Sequence, residues 1–179
     1  MPRFSMNTSF ADIEKKENRK DLIISICVFL SGFSCFAQLY YFQPLLPDLA
    51  KDFILSASES SFAISFSTLG MVFGLFTTMF VADRIPRKKM IGTGLLSSSI
   101  FSVAASFSPT FLPLILLSAA KGFLLSGATS VSMAYIAEEV SSRNKGKIMG
   151  LYIAGNALGG MAGRVISSWI GALYTWRIA

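Results

Sequence analysis

Long uncharged stretches alternate with short polar connections along nearly the whole sequence. Residues 22–46, 60–82 and 90–108 carry no charge; residues 113–137 are interrupted only by Lys121, and residues 148–176 only by Arg164. At about 1.5 Å of rise per residue, a helix over 22–46 outruns the roughly 30 Å hydrocarbon core of a bilayer. The pattern predicts five transmembrane helices, at about 22–46, 60–82, 90–108, 113–137 and 148–174, behind a polar tail of residues 1–21. Pro44, Pro47, Pro86, Pro109 and Pro113 fall at the seams, where a missing amide donor and a restricted preceding residue favour turns. The first run is too long for the apolar region of a signal peptide, and no small-x-small cleavage site follows it. The fold class is therefore all-α, a polytopic membrane helix bundle with residues 22–179 as one membrane domain.

Composition agrees. Of 179 residues, 53% are hydrophobic and 15% charged, with a mean hydropathy of +0.58, whereas soluble domains carry about a quarter charged residues. A net charge of +6 suits either nucleic acid or an anionic membrane, and placement decides between them. Arg3, Lys15, Lys16, Arg19 and Lys20 precede span one; Arg84, Arg87, Lys88 and Lys89 follow span two; Arg143, Lys145 and Lys147 follow span four. The opposite side holds only Lys51 and Arg177. Basic residues near span ends stay in the cytoplasm, so the amino terminus is expected there, with membrane lipid and no nucleic acid as partner. There is no His, and Cys27 and Cys35 share one apolar run. No metal site, disulfide framework or nucleophile with an adjacent base follows, so the expectation is not an enzyme.

Inside the spans, Lys121 and Arg164 each cost about 3 kcal/mol on insertion scales and normally face protein or a wet cavity. Both fall in the outer half at similar depth. Lys121 shares its helix face with Ser118, Leu125, Ala128 and Ser132; Arg164 shares its own with Ala157, Gly160, Ser168 and Gly171. The competing reading is snorkelling of a long side chain to the interface. With no acid in any span, a positive cavity suits an anionic solute, or a carboxylate supplied by a partner; the residues leave both open. Gly155, Gly159 and Gly163 form a stripe for close helix packing, turned away from Arg164 on the wheel. Gln38, Tyr41 and Gln43 lie near the outer end of span one, as solute contacts or as part of an aromatic belt. Glu138 and Glu139 close span four at its carboxyl end, where the macrodipole disfavours acids. Arg84, Arg87 or Arg143 are the expected partners.

Three segments carry a family resemblance. Asp83, Arg84, Arg87 and Lys88 fit the loop pattern Gly-x-Leu-Ala-Asp-Arg-x-Gly-Arg-Arg/Lys that the major facilitator superfamily places between helices two and three, with Met79 and Pro86 replacing its glycines. The stretch from Lys121 through Gly127 and Ala128 is similar to the helix-four pattern that begins with Arg and ends Gly-Ala. The segment from Met149 to Arg164, containing Gly155, Asn156, Gly159 and Gly163, resembles helix five of drug and sugar efflux members, with Gly160 where they have Pro. The resemblance implies the N-terminal half of that fold: five helices plus the start of a sixth at Trp176-Arg177-Ile178-Ala179, with the second half lacking. It implies a secondary active transporter of a small solute in the inner membrane, working as a proton-coupled efflux antiporter without other cofactors. Arg164, Lys121, Gln38, Tyr41, Gln43 and Asn156 would form its substrate or proton pathway. Asp83, Arg84, Arg87, Lys88, Glu138, Glu139 and Arg143 would latch one conformation. The alternative is a non-transporting module or half-transporter that associates with a separately encoded second half or a relative.

Overall fold

In the computed structural model, backbone is described for residues 3–179 and side chains from Lys15 onward, so the tail cation Arg3 lies outside the described side chains. Helix α1 runs Arg3–Tyr40. It stops before the end of the uncharged run because Pro44 has no N–H to return to the Tyr40 carbonyl, and its ring crowds that position. A 3-10 turn at Gln43–Leu45 and a short α2, Leu46–Asp52, carry the chain away from α1. Ile54, at φ 55°, ends this excursion.

A one-turn α3, Ala57–Ser60, starts on a capping box. Ser56 Oγ accepts from the Glu59 amide at 3.2 Å, and the Glu59 carboxylate accepts from the Ser56 amide at 2.8 Å. Together these satisfy two otherwise orphaned amides. Then follow α4, Phe62–Val81, α5, Arg87–Ser106, α6, Phe111–Glu139, and α7, Lys145–Leu173. Pro86 sets off α5, and Pro113 sits in the first turn of α6, where no intrahelical donor is required.

Among the described residues, three segments are long and apolar enough to cross a membrane by composition alone: Lys15–Asp52, Ala57–Val81 and Phe111–Glu139. Helices α5 and α7 have the length, but serines dilute α5, while α7 is diluted by glycines and Arg164. Half of the apolar window of α6 is buried, against 17% for α4, so α6 is the central helix. It packs closely with α4 and α5, while α1 packs closely with α7; contact between the two groups is much thinner.

Both close packings are made by small residues. A Cβ on Gly122 of α6 would overlap the Ser67 carbonyl of α4, and one on Gly70 of α4 would overlap the Ala119 carbonyl of α6. On α7, Gly155, Gly159 and Gly163 meet the backbone of Phe29, Phe33 and Ala37, one turn of α1 after another. Apolar clusters close the two ends of the bundle, Phe42, Leu45, Leu49, Leu114 and Trp176 at one end and Ile24, Val28, Ile136, Val140, Ile148 and Tyr152 at the other.

Gly159→Ala is expected to lower stability by about 1–3 kcal/mol, because the methyl must displace helix backbone rather than a flexible side chain. Gly150→Ala, in the same helix but with nothing within 4 Å, should instead gain up to about 1 kcal/mol of helix propensity. Thermal unfolding of the detergent-solubilised variants distinguishes the two signs.

Candidate functional site

The end of α1 presents Gln38, Tyr40, Tyr41 and Phe42 within five residues, and the turn forced by Pro44 fans these side chains out. Tyr41 and Phe42 stack, with centroids 4.2 Å apart. Lys121 reaches them from α6, its Nζ 4.3 Å from the Tyr41 centroid and 4.8 Å from that of Phe42. Lys121 is 1% exposed, and its ammonium has no hydrogen-bond partner among the described residues. The Ser118 hydroxyl, one turn earlier on α6, is likewise buried and unpartnered. Cation–π attraction of the order of 0.5–2 kcal/mol offsets only part of the desolvation of such a charge.

Gln38 turns toward α5. Its Oε1 accepts from Ser98 Oγ at 2.9 Å, and its Nε2 donates to Ser99 Oγ at 3.1 Å. A cavity of about 280 Å³ lies between α1, α5 and α7, with Gln38, Tyr41, Ser102 and Ser167 as its polar lining. Tyr41 thus stands between this cavity and Lys121. Gln43 opens the 3-10 turn and makes no side-chain hydrogen bond among the described residues.

Arg164 is elsewhere. Its side chain is exposed, with the guanidinium 4.5 Å from the Tyr40 ring. The two cations reach consecutive tyrosines of α1, Lys121 buried over Tyr41 and Arg164 exposed beside Tyr40. The glycine stripe sets the exposure of Arg164. Once Gly155, Gly159 and Gly163 are pressed to α1, Arg164 is turned about 100° from the contact line. Gly160 leaves room for the Tyr40 ring, which a Cβ would meet at 3.2 Å. Asn156, one turn below, abuts Gly32 and has its Oδ1 buried without a partner among the described residues.

At the opposite end, the loop residues gather. Arg87 grips Glu138 with Nε and Nη2, both at 2.6 Å, and lies 3.9 Å from Asp83. This paired contact lowers the Glu138 carboxyl below the ordinary glutamate range and raises the Arg87 guanidinium. Lys20 Nζ donates to Glu139 at 2.6 Å. The buried Asp21 carboxylate accepts from Ser141 Oγ at 2.6 Å and Asn144 Nδ2 at 2.8 Å. Arg143, in the same loop, is engaged as well. Arg84 and Lys88 line the adjoining cleft.

Sequence reasoning took Lys20 only as a topology marker and passed over Asp21. The available signal was an acid placed where the apolar run begins. It also missed a cluster at the bundle's other end, where Asp52 Oδ2 accepts from Trp176 Nε1 at 2.9 Å and from Arg177 at 3.1 Å. Arg177 also donates to the Ser106 and Ser108 carbonyls.

The sequence matches the family model described as Major Facilitator Superfamily over residues 25–179. An "Uncharacterized transporter" of Buchnera aphidicola subsp. Schizaphis graminum is 39% identical over 93% of this chain and 40% of its own length. "Inner membrane transport protein YnfM" of Escherichia coli K12 is 37% identical over 87% of this chain and 37% of its own length. "Niacin transporter NiaP" of Acinetobacter baylyi is 27% identical over 75% of the chain. The chain spans about two-fifths of the length of the curated relatives it matches first. No solved structure matches it. The family match over most of the chain, on an all-helical bundle with helices apolar enough to span a membrane, shows that the chain belongs to the Major Facilitator Superfamily.

Proposed function

We propose that this bundle forms one half of a secondary active transporter that exports a small solute from the cell in exchange for protons, seated in the inner membrane with its amino terminus in the cytoplasm. The reading rests on Lys121. A fully buried ammonium facing two aromatic rings, with no carboxylate beside it among the described residues, is a costly arrangement that function has reason to keep. It sits where the two helix groups meet loosely, between α1 and α6. Rocking at this seam would open Lys121 to water, where its ammonium can exchange a proton or meet an anionic solute or a carboxylate of the facing half. The names of the relatives, several of them transporters, support transport as the activity; export and proton exchange rest on the resemblance of α7 to efflux members.

Gln38 and Tyr41, beside the cavity, serve in this scheme as solute contacts. Arg164 and Asn156, on α7, serve beside Tyr40 and Gly32 of α1. Asp83, Arg84, Arg87, Lys88, Glu138, Glu139 and Arg143 act as the cytoplasmic latch. Its centre is the Arg87–Glu138 pair, which joins the start of α5 to the end of α6.

Lys121→Gln in the intact transporter, reconstituted in proteoliposomes with a pH-sensitive dye inside, is expected to remain folded and to lose solute-driven proton flux by about tenfold or more, equivalent to about 1.4 kcal/mol. Arg164→Ala should also abolish transport without reducing expression. Normal flux in Lys121→Gln would remove the basis of the proposal.

The latch makes a separate prediction. Arg87→Glu should lower the thermal midpoint and shift the transporter toward the state open to the cytoplasm, and the reversed pair Arg87→Glu/Glu138→Arg should restore both. Since folding lowers the Glu138 titration range, the pair's stabilisation is complete at neutral pH and is lost as acidification passes below the ordinary glutamate range. A midpoint-versus-pH series on the parent chain and on Glu138→Gln measures this; the variant should lack the acid-side loss that the pair contributes.

A further inference from the structure

The cytoplasmic end of the bundle holds a cleft of about 1050 Å³ between α1, the α4–α5 loop and the end of α6. Lys16, Arg19, Lys20, Arg84, Arg87 and Lys88 line it, against three acids. Two of those acids, Glu138 and Glu139, are taken up by Arg87 and Lys20. Lys16, Arg19, Arg84 and Lys88 make no ion pair among the described residues. The Arg87–Glu138 and Lys20–Glu139 pairs therefore leave four cations gathered around one cleft.

The apolar lining of the cleft indicates what these cations bind. Ile23 and Ile24 line it beside Ala82. Ile23 is 54% exposed and begins a stripe with Ile26, at 52%, and Leu30, at 54%. Spacings of three and four place these residues on one face of α1, so a continuous apolar track runs from the cationic cleft into the first span. A free anion or an acidic peptide has no use for that track. A molecule with an anionic head and a hydrocarbon tail fits both parts.

We propose that the cleft binds the phosphate-bearing headgroup of an anionic phospholipid, with an acyl chain lying along Ile23, Ile26 and Leu30. Arg19, Arg84 and Lys88 provide charge-assisted hydrogen bonds to the phosphate oxygens. Binding ties residues 16–24 of α1 to the α4–α5 loop. The site is independent of the transport role assigned to Lys121.

The test uses the purified chain in micelles of a neutral sugar detergent, titrated with phosphatidylglycerol, phosphatidylcholine or inorganic phosphate. Phosphatidylglycerol is expected to raise the thermal midpoint saturably, and the other two are not. Arg19→Gln/Arg84→Gln should weaken the apparent affinity by about tenfold or more, the scale of losing charged hydrogen bonds. Lys89→Gln, in the first turn of α5 but outside the cleft, should leave it unchanged. An equal response to phosphatidylcholine, or an equal loss in Lys89→Gln, would overturn the site in favour of general surface attraction; an equal response to inorganic phosphate would make it a free-anion site. Native mass spectrometry of the parent chain needs no variant: one phosphatidylglycerol retained in preference to phosphatidylcholine supports the proposal, and none retained refutes it.

Discussion

Backbone contact between helices is the constraint on which this bundle depends. Lipid tails are as apolar as leucine side chains, so hydrophobic burial cannot sort one membrane helix against another; close van der Waals packing must do so. Gly70 and Gly122 bring α4 and α6 together, and Gly155, Gly159 and Gly163 do the same for α7 and α1. Each contact repeats along successive turns, which locks register as well as distance. The bundle is consequently uneven, with α4, α5 and α6 forming one tight group, α1 and α7 another, and a thinner seam between them.

The polar groups follow this division. Lys121 belongs to the first group and is covered by Tyr41 and Phe42 of the second. Gln38 crosses from α1 to Ser98 and Ser99 of α5. At the end of the bundle that holds the Arg87–Glu138 pair, Lys20 and Asp21 of α1 cross to Glu139, Ser141 and Asn144. Hydrogen bonds and an exposed ion pair span the seam, and a further exposed pair, Arg87–Glu138, joins α5 to α6 within the first group. Exposed ion pairs are individually weak, which suits contacts that break and reform in the proposed cycle. The buried ammonium differs in kind, because its interaction with the rings does not replace the water it has lost.

Much of this architecture was legible from charge and periodicity. The uncharged runs correspond to long helices because backbone donors in lipid must be satisfied within the helix, and runs free of charge leave few other ways to do so. The end of α1 was less legible: residues 22–46 read as one span, yet the helix stops at Tyr40, since one proline outweighs a favourable hydropathy. The partners proposed for Glu138 included Arg87, the residue that binds it. The pairings of Lys20 and Asp21 were not legible because their partners lie about 120 positions away, beyond any local pattern. The helical wheel placed the α7 glycines away from Arg164. It had no means of showing that α1 would occupy that side.

The difference in burial changes what the two cations can do. Lys121, buried under Tyr41 and Phe42, answers to the seam between the helix groups, whereas Arg164, exposed beside Tyr40, answers to whatever meets that face of α7. A motion of α1 relative to α6 uncovers the first without necessarily disturbing the second, because α7 travels with α1 through the glycine contact. In the proposed cycle this separates the roles: Lys121 registers the opening of the seam, and Arg164, carried rigidly on the moving pair, presents a fixed charge to the facing half.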